Sequence, residues 1–100
     1  MIKIKSISNE DEINHYVLEL VPNIHNELIA FFHHLRFSSD EVDKLDVIFS
    51  EINGAYFHIK NEEMKVHFFI HNNKINMVID SNKSQEELNN LMKTHFIFPK

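Results

Sequence analysis

At 100 residues, with 43% hydrophobic residues and a formal net charge of −5, the chain can build one core and is expected to form a single domain over 1–100. The lack of cysteine excludes disulfides and thiolate metal sites, and an acidic balance without a dense Lys/Arg stripe argues against nucleic acid as a partner. No apolar run approaches the ~20 residues that span a bilayer and no charged-then-apolar leader precedes the first strand, so a soluble, cytoplasmic protein with no membrane partner is expected.

Two further features of the composition matter. Gly54 is the one glycine, which leaves almost no capacity for a loop whose backbone N–H groups cradle phosphate. Eight histidines raise metal binding and pH sensing as possibilities.

In chain order, Ile2-Lys-Ile-Lys-Ser-Ile7 alternates strictly and predicts a half-exposed strand, followed by a polar turn over Ser8–Glu12. Tyr16, Leu18 and Leu20 alternate with His15, Val17 and Glu19, so Ile13–Val21 reads as a second strand closed by Pro22. A helix over 12–20 is the alternative. Asn23 is a candidate N-cap for a helix from Ile24 to about Phe37, burying Ile24, Leu28, Phe31, Phe32 and Leu35.

Ser38-Ser39-Asp40 breaks that helix and offers caps for the next, whose first turns carry Glu41, Asp43 and Asp46. Apolar residues at Val42, Leu45, Phe49, Ile52, Tyr56 and Ile59 then predict one long amphipathic helix ending near Lys60. Met64–His71 follows as a strand with Val66, Phe68 and Ile70 on one face and His67, Phe69 and His71 on the other. Asn72-Asn73 is a tight turn tolerant of positive φ, and Lys74–Asp80 returns with Ile75, Met77 and Ile79 inward. Ser84 and Glu87 form a capping box for a last helix that buries Leu88, Leu91 and Met92. The apolar tail Phe96–Lys100 is expected to dock on the domain or on a partner.

Strands in pairs around helices, β-β-α-α-β-β-α, predict an α+β two-layer sandwich: a mainly antiparallel mixed sheet of about four strands with helices on one face. The histidines do not form a metal site by spacing. His67 and His71 stand ~13 Å apart along a strand rising ~3.3 Å per residue, and no His-x3-His helix pair exists, so no metal is expected. Phe57 and Phe69 lie off the main buried rows, where an exposed aromatic would mark an interface.

The run from His15 to Asn82 resembles the GHKL (histidine-kinase-like) ATPase fold, and most closely its bacterial branch of serine-kinase anti-sigma factors. The resemblance rests on the strand ending Val21-Pro22, the Ser-Ser-Asp-Glu-Val-Asp-Lys-Leu turn into the long helix, Ser50-Glu51 on it, and the strand ending Val78-Ile79-Asp80. It implies Glu51 as general base and Asp80 as the contact to adenine. The family's magnesium-holding Asn falls on Ala55, which cannot ligate a metal, and the glycine two residues after the adenine Asp is replaced by Asn82. The glycine-bearing lid over the phosphates has no counterpart.

The resemblance therefore implies a non-catalytic module with a degenerate nucleotide site and no cofactor. It would hold another protein stoichiometrically, a sigma factor or an anti-sigma antagonist, and self-associate as a homodimer. Phe31, His34 and Phe37 are its expected contacts. Two alternatives stand beside it: an active ATP- and magnesium-dependent serine kinase in which Glu51 and Asp80 work and Asn53 or Asn82 substitutes for the lost metal ligand, and an unrelated α+β interaction domain.

Overall fold

A computed structural model describes residues 1–50 and 56–100, with only the backbone described at Phe49 and Ser50. The elements are strands β1 (Ile2–Glu10) and β2 (Ile13–Glu19), helices α1 (Ile24–His34) and α2 (Ser39–Val42), 3₁₀ turns over Asp43–Ser50, strands β3 (Tyr56–Lys60), β4 (Met64–His71) and β5 (Lys74–Ser81), helix α3 (Gln85–Met92) and the short β6 (Phe96–Ile97). They form an α+β sandwich whose sheet has six strands rather than about four, in the order β3-β4-β5-β2-β1-β6. Among the described residues every pairing is antiparallel except β1 with β6.

One face of the sheet and the helices share a single core. Met64, Val66, Phe68 and Ile70 of β4, Ile75, Met77 and Ile79 of β5, and Tyr16 and Leu18 of β2 point into it. Ile24, Leu28, Phe31 and Phe32 of α1, Leu45 and Ile48 of the 3₁₀ turns, and Leu88 and Met92 of α3 meet them. The Phe32 and Phe68 rings pack edge to face at 5.8 Å and those of Phe31 and Phe96 at 4.8 Å, which fastens α1 to both halves of the sheet. Tyr16 is fully buried, and its hydroxyl donates to Asn89 Oδ1 of α3 at 2.8 Å. Burial pushes the Tyr16 phenol up to about 12.

The largest departure from the sequence-based expectation is the long helix. At its expected far end Tyr56–Lys60 is a strand paired with β4, and near its start Asp43–Ser50 winds as 3₁₀ turns. Tyr-Phe-His-Ile-Lys alternates and is rich in aromatic and β-branched residues, which suits a pleated surface better than a helix. Asn53-Gly54 is also a turn signal and a helix-weakening pair in sequence. Tyr56, placed by helical spacing in the buried stripe, is instead 60% exposed.

Smaller corrections have local causes. β1 runs on to Glu10, because Asp11 and Glu12 alone make the turn at φ 51° and 66°. Asn72 and Asn73 turn at φ 52° and 60°, as Asn-Asn predicts. Asn23 precedes α1 in the left-handed region at φ 69° and gives no side-chain cap. Ser38 and Ser84 do cap, accepting from the N–H groups of Glu41 and Glu87 at 3.3 and 3.2 Å.

Helix α1 stops at His34 rather than Phe37. Arg36 takes φ 68°, Phe37 N–H bonds the Phe32 carbonyl, and Arg36 N–H bonds the His33 carbonyl. This is a Schellman closure, and its apolar contact is the Phe32–Phe37 ring pair at 5.1 Å. The apolar tail docks as expected, with β6 parallel to β1.

Asn61 fixes the turn between β3 and β4. Its Oδ1 accepts from Glu63 and Met64 N–H, each at 2.9 Å, and its Nδ2 donates to the Leu35 carbonyl at the end of α1 at 3.1 Å. Asn61→Ala removes all three and is expected to lower the unfolding free energy by about 1–3 kcal/mol in urea titrations. A loss within error would show that this turn does not depend on Asn61.

Candidate interaction surface

The strand alternation that fills the core also fixes what lies on the opposite face, over which no helix passes among the described residues. Because Val66, Phe68 and Ile70 point inward, Lys65, His67, Phe69 and His71 point outward. The register of β3 on β4 then sets three outward pairs directly opposite one another. Tyr56 faces Phe69, His58 faces His67, and Lys60 faces Lys65. An aromatic row, an imidazole row and an ammonium row thus follow one another along the ribbon.

The rows are tied together. The Tyr56 hydroxyl and His67 Nδ1 are 2.6 Å apart, a hydrogen bond whose donor follows the imidazole tautomer. The Tyr56 ring stacks on His67 with centroids 5.9 Å apart and planes 26° off parallel. His58 lies 5.8 Å from His67, and Phe69 stacks near His71 at 6.0 Å. On β5, Asn76 Nδ2 donates to the Phe69 carbonyl at 3.3 Å, while its Oδ1 meets His15 Nε2 of β2 at 3.2 Å. Phe69 is 42% exposed, and with Tyr56 it forms a solvent-facing aromatic pair.

Glu41 secures the end of β3 from the helical side. Its carboxylate accepts from Lys44 Nζ at 3.0 Å and from the Lys60 N–H at 3.1 Å. Partial desolvation pushes the Glu41 carboxyl up, but these hydrogen bonds and the two lysine charges outweigh it and hold the group below its ordinary value. The tether is therefore complete above the ordinary carboxylate range near pH 4.5 and loosens as pH falls through the lowered value.

The residues singled out from the sequence are dispersed. Phe31 and Phe37, expected as partner contacts, are 1% and 3% exposed and are core residues. Phe31 packs against Phe32 and Phe96, and Phe37 closes α1, so neither offers a partner any surface. His34 is exposed, with its ring 5.8 Å from that of His95. Glu51, Asn53 and Ala55 lie outside the described residues.

Asp80 is exposed opposite Lys65 on the outward face, on the far side of the sheet from the helices. Asn82 borders a separate polar cleft of about 500 Å³ with Asn9, Asn14, Lys83 and Gln85, which Asp80 does not line. Phe69 is exposed, as its position off the buried rows suggests, whereas Phe57 is half-buried and stacks on Phe68 at 5.0 Å. The Tyr56 and His58 contributions were hidden from sequence reasoning by the helical spacing. The alternation of Tyr56–Lys60 is the signal that finds them.

Among the described residues no group of three or more His, Asp or Glu side chains could hold a metal ion, and no helix is long and apolar enough to cross a membrane. Comparison with protein-family models, with curated proteins and with solved structures returns no match. On the outward β3–β4 face Tyr56, Lys60, Lys65, Phe69 and His71 are exposed, and it offers stacking, hydrogen bonding and charge.

At the His58 imidazole, desolvation acts first, followed by the charges of Lys65, Lys44 and His67. Together they hold its pKa below the ordinary 6.5, with Glu41 pulling the other way. Neutral His58 therefore contributes stability above pH 6.5 that is lost as pH falls through the lowered value. An NMR titration of the histidine rings is expected to place the His58 midpoint below 6.5 and to raise it in Lys65→Ser. A midpoint at or above 6.5 in the unmodified protein would contradict this electrostatic description.

Proposed function

We propose that the chain is a non-catalytic regulatory module that holds another protein stoichiometrically, through the outward face of β3 and β4. The observation that carries this reading is the Tyr56–Phe69 pair, directly opposed and 60% and 42% exposed on a face over which no helix passes among the described residues. Large aromatic rings presented together on a rigid sheet suit an interface, because they bury much area while losing little rotamer entropy. The module works in the cytoplasm by occlusion, with release by a competing partner. A sigma factor or its antagonist, implied by the resemblance to anti-sigma kinases, is the first partner to try, and a second copy of the chain is the next.

Nothing in the described geometry favours the kinase alternative. Asp80 faces away from the helices, and the strand at Tyr56–Lys60 occupies positions that the kinase-like reading gives to the long helix.

Photo-crosslinking tests the proposal. With p-benzoylphenylalanine in place of Phe69, irradiation in the native cell is expected to give one discrete adduct. The same group at the exposed Asn90 of α3 is expected to give none. An adduct of twice the chain mass identifies the partner as a second copy. Adducts equally at both positions, or at neither, would overturn the assignment of this face. Saturable heat on titration with Mg-ATP would overturn the non-catalytic reading.

A further inference from the structure

Resting on the reading of the β3–β4 face as a docking surface, we infer that the segment it takes is a short acidic stretch of protein carrying aromatic or large apolar residues. The chain as a whole is acidic, with 15 carboxylates against 10 Lys and Arg. Strands β3 and β4 nevertheless contain no Asp or Glu at all. Their outward side chains are Tyr56, His58 and Lys60 on one strand, and Lys65, His67, Phe69 and His71 on the other.

Lys60 and Lys65 stand directly opposite one another, an arrangement that destabilises a sheet by like-charge repulsion. Neither ammonium makes an ion pair within 4.0 Å among the described residues. Of the carboxylates around them, Glu63 pairs with Lys83 at 3.5 Å and Glu41 with Lys44, while Glu62 of the turn and Asp80, opposite Lys65 on β5, make no ion pair with either lysine. No carboxylate of the described residues closes on the two opposed ammonium groups to ion-pair distance, which leaves them for an anionic group brought by a partner.

Spacing along the strands orders the recognition. The aromatic, imidazole and ammonium rows are each two residues apart, so ~7 Å separates one row from the next. An extended segment lying along the ribbon therefore meets apolar rings first and positive charge last. Docking over the face is favoured over the end of the β3 edge, where Glu41 already occupies the Lys60 N–H.

Protein is favoured over single-stranded nucleic acid by the rest of the same face. Glu10, Glu19 and Asp80 point outward on β1, β2 and β5, and a continuous polyanion crossing the sheet would run into them. A short acidic segment confined to β3 and β4 meets Asp80 alone of these three, opposite Lys65.

The test is an ¹⁵N NMR titration of the whole chain with three probes: a short synthetic peptide alternating glutamate and phenylalanine, its glutamine counterpart, and an oligothymidylate. The acidic peptide is expected to shift the amides of Tyr56–Lys60 and Lys65–His71. It should bind roughly tenfold more tightly than the glutamine peptide, the effect of two to three exposed charge pairs. High salt should remove most of that difference. Lys60→Glu/Lys65→Glu is expected to abolish the preference, and Lys93→Glu at the C-cap of α3 to leave it unchanged. If both peptides shift the face equally, the acidic preference is overturned while the docking surface stands. If neither peptide shifts this face, both fail. Tighter binding of the oligothymidylate on these strands would overturn the assignment to protein.

Discussion

Strand β4 divides the molecule, because a β-strand sends successive side chains to opposite sides and cannot do otherwise. Met64, Val66, Phe68 and Ile70 are committed to the core, and from that commitment most of the structure follows. Phe68 receives Phe32 of α1 and stacks with Phe57 of β3. The strand pairs on one side with β3 and on the other with β5, which passes the same inward register on to β2. A slip of one residue would turn Lys65, His67 and His71 into the core and expose Val66, Phe68 and Ile70, so the register is strongly specified. The outward face is the necessary complement of that choice.

How much of this is legible in the sequence depends on how local each signal is. The β4–β5 hairpin is readable because alternation and an Asn-Asn turn agree over a short span, and both asparagines take the positive φ that the turn requires. Ser38 and Ser84 cap the helices that follow them for the same reason. The long helix is misread because apolar residues at Val42, Leu45, Phe49, Ile52, Tyr56 and Ile59 satisfy a helical period by coincidence across a change of element. Over five residues, Tyr56–Lys60 satisfies a strand period equally well, and only the pairing with β4 decides between them.

Phe37 shows a different limit. Its burial comes from the closure of α1 at Arg36, a left-handed turn made without glycine and therefore unmarked in the sequence. The candidate site is less legible than the fold. Phe69 can be picked out as an off-row aromatic, but its partner Tyr56 and the His58–His67 pair exist only once β3 is a strand. The surface is built from residues of two elements whose register the sequence does not state. Its chemistry is therefore a tertiary property.

The aromatic residues divide into those that hold the fold and those that face outward. Urea unfolding of Tyr56→Ser/Phe69→Ser tests that division most directly. The account predicts a loss of less than about 1 kcal/mol, the range of an exposed cross-strand pair, with an unchanged denaturant slope. A loss of about 3 kcal/mol or more, the scale of truncating a buried aromatic, would contradict it and make the pair part of the core.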